Sequence, residues 1–394
     1  MKLFLIFIFF WTCSAAGQQT FETGKIIDSI PVSDATNETF TLYLPKSFDA
    51  NKLSPIVFIF DPAGRGKTGI APFVNVSETY GHVLVCSNAA RNGPYNRNFD
   101  IADRLFAHIF SQFNIKENQI YLAGFSGGSR LVSAIAVLTE EIAGVIACGA
   151  GFAQNPLYRP STQKFSYVGL CGDRDMNYRE MIAVKNWLQK ISFNHTLITY
   201  DGNHSWPASD QLLKAFDWLA IQAHKKGHSI MTDKEIYESY SRSYVLAKKS
   251  ETDKDWLQAT ENYKRIIQTY GSFYTTDSVL QTLKSLRKRK GYKESSKSNA
   301  KALEIEAALT KTFNDRLFKD FEHPEKTDID WWIKELEELK KTANSPNAEM
   351  RKMVERVRFN IFAIAYSRSN PNLNEANEAQ KKLSDTIKKL IRPE

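Results

Sequence analysis

The chain has 394 residues, 42% of them hydrophobic and 24% charged, a globular composition that excludes a disordered polymer. Its formal charge is +8, unevenly spread: residues 1–228 hold 20 Lys+Arg against 18 Asp+Glu, and residues 229–394 hold 32 against 26. Four cysteines exclude a fold built on disulfides, and only one stretch, at the N-terminus, is apolar enough to enter a bilayer, which excludes a polytopic membrane protein.

That stretch runs Met1-Lys2, Leu3 to Trp11, then Ser14-Ala15-Ala16-Gly17. A positive start, a short apolar core and small residues at a cleavage site predict a secretory signal over 1–17 and export to the periplasm or beyond the cell, with no membrane span after cleavage. An uncleaved anchor is the alternative. Cys86, Cys148 and Cys171 remain in the mature chain, each in an apolar run, and are expected as buried free thiols.

Between about residue 24 and 228 strand-like and helix-like runs alternate. Gly24 to Val32 and Glu38 to Leu44 predict two strands joined by a polar turn. Pro55 to Phe60 is continuously apolar, as a strand buried on both faces reads, and His82 to Cys86 repeats the pattern. Leu105, Phe106, Ile109, Phe110 and Phe113 fall at helical spacing. Further strands are expected at 119–123, 143–148, 165–171 and 196–200, and helices at 127–139, 181–191 and 212–223. The alternation predicts an α/β, doubly wound, mostly parallel sheet occupying a domain at 18–228.

After His228 the strand-like runs stop. Ile236, Tyr240, Tyr244; Trp256, Ala259, Tyr263, Ile266, Tyr270; Val354, Val357, Ile361, Ile364; and Leu383, Ile387, Leu390 mark amphipathic helices. An all-α domain is expected over 229–394. Residues 236–270 resemble a tetratricopeptide-type helix pair, without a second copy at a fixed period. The basic run Lys284 to Lys290 is interleaved with helix formers and reads as a solvated helix face or turn, not as a nucleic-acid site.

Gly124-Phe125-Ser126-Gly127-Gly128 follows a predicted strand and precedes a predicted helix, the context a G-x-S-x-G nucleophile elbow requires. The serine would sit in a strained turn with flanking glycines admitting close backbone approach, and the helix N-terminus behind it would offer free N–H groups. A serine hydroxyl needs a base. Of seven histidines, His204 lies in a loop after the last predicted strand, at the sheet edge where functional loops of open α/β sheets gather. The strand ending at Cys171 opens into Gly172-Asp173-Arg174-Asp175, and Asp175 is expected to orient the histidine, with Asp173 as a turn or capping residue; Asp173 is the alternative acid.

Here the chain resembles the α/β-hydrolase superfamily over residues 24–225. Gly202-Asn203-His204-Ser205-Trp206-Pro207 is similar to the G-x-H-x-W-P segment of polyhydroxybutyrate-depolymerase-like and feruloyl-esterase-like enzymes, with dienelactone-hydrolase-like proteins as the next neighbours. The resemblance implies acyl transfer by Ser126, His204 and Asp175, without metal or cofactor. Many such enzymes carry HGGG or HG after the third strand, whereas this chain has Asp61-Pro62-Ala63-Gly64. The N–H of Gly127 would form the oxyanion hole with that of Ala63 or Gly64, since Pro62 has none. Arg91, Tyr95 and Trp206 are read as substrate contacts, with a plain surface loop as the alternative for the first two. The short segment between the strands at 143–148 and 165–171 predicts no large cap and an open site suited to a bulky or polymer-linked ester.

The expected activity is that of an exported serine hydrolase acting on carboxylic esters. A serine peptidase of the same fold is one alternative. An inactive hydrolase-like domain in a helical binding or scaffold protein is the other. The C-terminal helices are expected to dock on the hydrolase or to bind a protein partner.

Overall fold

The computed structural model describes residues 21–391 apart from Asp34, Thr36, Glu140 and 371–374. The segment 1–17, expected to be an export signal, lies outside the described residues. No helix among the described residues is long and apolar enough to cross a membrane.

The first part of the chain runs β1 (Ile26–Pro31), β2 (Thr39–Tyr43), β3 (Ser54–Phe60), α1 (Gly66–Ile70), α2 (Val74–Tyr80), β4 (Val83–Ser87), α3 (Tyr95–Gln112), β5 (Ile115–Phe125), α4 (Gly127–Leu138), β6 (Gly144–Cys148), β7 (Ser166–Gly172), α5 (Tyr178–Lys190), β8 (His195–Tyr200) and α6 (Ser209–Lys225). The strands form one sheet in the order β1-β2-β4-β3-β5-β6-β7-β8. The β1–β2 and β2–β4 pairs are antiparallel and all others parallel. This is the α/β-hydrolase fold. Helices α1 and α2 have no counterpart in the sequence pattern: Gly66-Lys67-Thr68-Gly69-Ile70 has weak helix propensity, and the crossover that must return the chain to β4 decides its conformation.

Strand β3 shows why the central strands read as unbroken apolar runs. Ile56, Phe58 and Phe60 point into the core layer under α3, α4 and α5, whereas Val57 and Ile59 point into the layer that holds Ile70, Val76, Phe216 and Leu219. Side chains alternate across a strand, so a sheet covered on both faces must be apolar at every position. Cys86, Cys148 and Cys171 are buried and free, as expected. Burial pushes all three thiols up, so they are packing groups and not nucleophiles.

From residue 233 onward every described element is helical: α7 (Asp233–Thr252), α8 (Trp256–Tyr270), α9 (Asp277–Lys288), α10 (Lys290–Glu322), α11 (Ile329–Ala343), α12 (Ala348–Ser369) and α13 (Glu378–Ile391). A capping box between Thr232 and Glu235 starts α7. Helices α7 to α9 close one apolar core around Tyr263, Ile266 and Leu283, and α10 to α13 close another around Phe313, Trp332, Val357 and Ile387. The helices range from 12 to 33 residues in length. They dock on the sheet: Arg265 of α8 donates to Leu197 O at 2.8 Å, and Gln258 accepts from Thr199 Oγ1 at 3.0 Å.

Candidate active site

The chain leaves β5 through a single residue of unusual geometry before α4 begins. Ser126 has φ 53° and ψ −115°, a positive-φ conformation costly for a residue with a Cβ. Its N–H donates to Cys148 O at 2.8 Å, extending the β5–β6 ladder, while its carbonyl accepts from Arg130 N at 3.2 Å inside the new helix. The turn closes only because its neighbours lack side chains. A Cβ on Gly124 would come within 2.3 Å of the Gly128 carbonyl, and one on Gly128 within 2.0 Å of Phe60 O.

The structure brings Ser126, His204 and Asp175 together. His204 Nε2 lies 3.0 Å from Ser126 Oγ, and His204 Nδ1 lies 2.9 Å from Asp175 Oδ2. The Asp175 side chain is 1% exposed and that of His204 8%. Asp175 Oδ1 accepts from Asn177 N at 2.8 Å, so both carboxylate oxygens have donors. The imidazole packs between Phe125 (ring centroids 4.7 Å apart) and Phe359 (5.4 Å). Asp173 takes other partners: Lys352 Nζ at 2.9 Å, and Gly202 N at 3.3 Å.

Two expected oxyanion donors are not open. Ala63 N donates to Asp61 Oδ1 at 2.9 Å, and Gly64 N to Asp61 O at 3.1 Å. Asp61 is a buried carboxylate, and buried acceptors must be satisfied by the nearest donors. Burial would raise its pKa, but hydrogen bonds from Arg65, Trp206 and Ala63 outweigh this and hold it below the usual carboxylate value. Gly127 is the first residue of α4, where N–H groups have no intrahelical acceptor. The Asn92 carboxamide lies directly against it: its Oδ1 and Nδ2 are 1.7 and 3.2 Å from where a Gly127 Cβ would be. The Asn92 backbone N–H donates to Pro62 O at 2.8 Å, so this residue, through its backbone on one side and its side chain on the other, joins the turn after β3 to the elbow. No motif or spacing marks Asn92 in the sequence, although it lies between Arg91 and Tyr95.

Arg91 and Tyr95 line a cavity of 110 Å³ beside the elbow, together with Pro62, Asn92, Gly127 and Arg130. Arg91 is exposed, and Tyr95 is half-buried against Tyr158. Arg130 is structural. It forks onto Glu180 with both contacts at 2.7 Å and donates to Phe152 O at 2.9 Å. Trp206, read as a substrate contact, spends its indole N–H on Asp61 Oδ2 and its ring on Phe125 and Phe73. It braces the site from within.

The segment 149–165 inserts only a short 3-10 turn, so no cap stands between β6 and β7. The site is nevertheless not open on every side, because α12 comes from the C-terminal region and lays Phe359 beside His204. Nothing in the local sequence could reveal this, since 155 positions separate the two residues, from 204 to 359.

No protein-family model matches the chain, and no curated protein matches it. Solved structures with a similar fold include S-formylglutathione hydrolase from Staphylococcus aureus (14% identity over 50% of this chain and 95% of that one, TM-score 0.40). Another is a fluorophosphonate-binding serine hydrolase of Staphylococcus aureus (13% identity, 50% and 99%, TM-score 0.44). A third is the feruloyl esterase module from Clostridium thermocellum (12% identity, 48% and 86%, TM-score 0.39).

Proposed function

We propose that this protein is a serine hydrolase that cleaves carboxylic esters through Ser126, His204 and Asp175. The observation that carries the reading is the continuous hydrogen-bonded line from Asp175 Oδ2 through the His204 ring to Ser126 Oγ, at 2.9 and 3.0 Å. In this reading Ser126 Oγ attacks the ester carbonyl carbon while its proton passes to His204 Nε2. Asp175 holds Nδ1–H and stabilises the imidazolium. The tetrahedral intermediate collapses, the C–O bond to the alcohol breaks, and the alcohol leaves with the proton from Nε2. A water then gives its proton to Nε2 and attacks the acyl carbon. Collapse of that second intermediate returns the proton to Ser126 Oγ and releases the acid.

The oxyanion would rest on Gly127 N–H and the Asn92 carboxamide, which takes over from Ala63 and Gly64. A bulky or polymer-linked ester is the substrate class we assign, because no cap is inserted at 149–165. Export rests on the signal-like segment at 1–17.

The engaged N–H groups of Ala63 and Gly64 are the one observation that favours the reading as an inactive scaffold. Labelling with a fluorophosphonate probe separates the two. Stoichiometric labelling of the wild type, absent in Ser126→Ala, is the expected result. A wild type that neither labels nor hydrolyses any of a panel of p-nitrophenyl, feruloyl, acetyl-sugar and peptide substrates overturns it; turnover of the peptides alone indicates a peptidase.

A further inference from the structure

Residues 352, 355, 356 and 359 share one face of α12, at the i, i+3, i+4, i+7 spacing of a helix. All four meet the two loops that carry Asp175 and His204. Lys352 Nζ is 2.9 Å from Asp173 Oδ2, Glu355 pairs with Arg174 at 3.3 Å, Arg356 NH1 donates to Asp173 O at 2.7 Å, and Phe359 packs on the His204 ring. The loops are themselves joined. Asp173 N donates to Tyr200 O at 2.8 Å, and Arg174 N to Gly202 O at 2.9 Å. A helix that grips Asp173 therefore grips the stretch leading to His204 as well.

Arg356 is the centre of this grip. Its side chain is 0% exposed. Nε and NH2 both lie 2.7 Å from Oε2 of Glu306, on α10, and the guanidinium stacks 5.0 Å from the Tyr178 ring centroid. Burying an ion pair costs several kcal/mol of desolvation, and an apolar pair would join two helices equally well. What a guanidinium adds is a planar fork that holds a carboxylate along one edge and presents another N–H in a fixed direction. Here that direction is the carbonyl two residues before Asp175.

We propose that the 352–359 face of α12 is part of the catalytic machinery, with Arg356 as a positioning residue that holds the Asp175 turn in register with His204. This rests on reading Ser126, His204 and Asp175 as a triad, and it makes the C-terminal helices a component of the hydrolase and not a separate binding module. The test uses the full chain. Arg356→Met is expected to lower kcat about 10- to 100-fold with KM little changed, since a misplacement near 1 Å costs about that much. Fluorophosphonate labelling of Ser126 should slow by the same factor. The low-field proton resonance of His204 Nδ1–H should shift or disappear.

Arg316→Met is the control. It removes another ion pair of the helical region, to Asp320 at 2.9 Å, and should lower the melting temperature while leaving kcat and the resonance alone. If Arg356→Met does not fold, Lys352→Met and Phe359→Leu decide the matter, each expected to lower kcat several-fold. Unchanged kcat, labelling rate and resonance in the folded variants overturn the proposal, as does an equal loss of kcat in Arg316→Met. A wild type that fails to label would instead remove the hydrolase reading, and the resonance in Arg356→Met would still report whether α12 sets the Asp175–His204 geometry.

Discussion

Trp206 donates its indole N–H to Asp61 Oδ2 at 2.9 Å, across 145 positions of sequence. The bond ties the loop that carries His204 to the turn after β3, and Arg65 takes the same carboxylate with Nε at 2.9 Å and NH2 at 3.0 Å. Trp206→Phe keeps the ring contacts with Phe125 and Phe73 but removes the donor. The buried carboxylate loses one of its partners, at a cost of about 1–3 kcal/mol. Urea unfolding should show that loss, and kcat should fall as the His204 loop loosens. A variant as stable as the wild type would mean that Trp206 does not brace the loop.

Asp175 and Asp173 stand two residues apart, yet only Asp175 touches the imidazole. Asp175→Asn should lower kcat/KM by about 10⁴, because an amide favours the wrong tautomer of His204 and cannot stabilise its cation. Asp173→Asn loses its ion pair with Lys352 and should cost far less. Steady-state kinetics on a p-nitrophenyl ester would compare the two; an equal or reversed order would move the acid to Asp173.

Asn92 lies against Gly127. If its carboxamide takes the oxyanion, Asn92→Ala should reduce kcat by about 10²–10³ with little change in KM, the signature of a donor used only in the transition state. The side chain is exposed, so the melting temperature should stay near that of the wild type. Full activity in Asn92→Ala would return the role to backbone donors.

His82 is a buried histidine with both ring nitrogens unpartnered, packed among Tyr80, Tyr121 and Phe216. Burial, with a smaller push from Lys116, takes its pKa down from 6.5 to about 3. The unfolded chain therefore binds the extra proton first as pH falls, and this group's contribution to stability is lost from pH 6.5 downward, by at most about 1.4 kcal/mol per pH unit. His82→Phe keeps the ring packing and should flatten that part of the stability profile. Parallel urea titrations at pH 7 and pH 5 check this, and identical pH dependence in the two proteins would refute it.

Much of the sheet was legible because burial on both faces leaves an unmistakable local mark. The runs Pro55–Phe60, Val83–Cys86, Gly144–Cys148 and Val168–Cys171 have no polar position for water, and each lies in a strand within a few residues of where the pattern placed it. Helices α1 and α2 escaped because a glycine-containing crossover has no strong propensity to read. The elbow was legible for a different reason: close backbone approach admits only glycine, so Gly124 and Gly128 announce the turn around Ser126.

The linear chain by itself determined the layered fold, the elbow and the order in which a hydroxyl, a carboxylate and an imidazole follow one another, since each depends on local pattern and on the handedness of crossovers. The tertiary structure alone decided that Asp61 consumes the N–H groups of Ala63 and Gly64, that Asn92 comes to Gly127, and that Arg356 reaches Asp173 from 183 residues away. Those are pairings between groups whose desolvation must be satisfied by whatever the completed fold brings near, and no window along the sequence contains both partners.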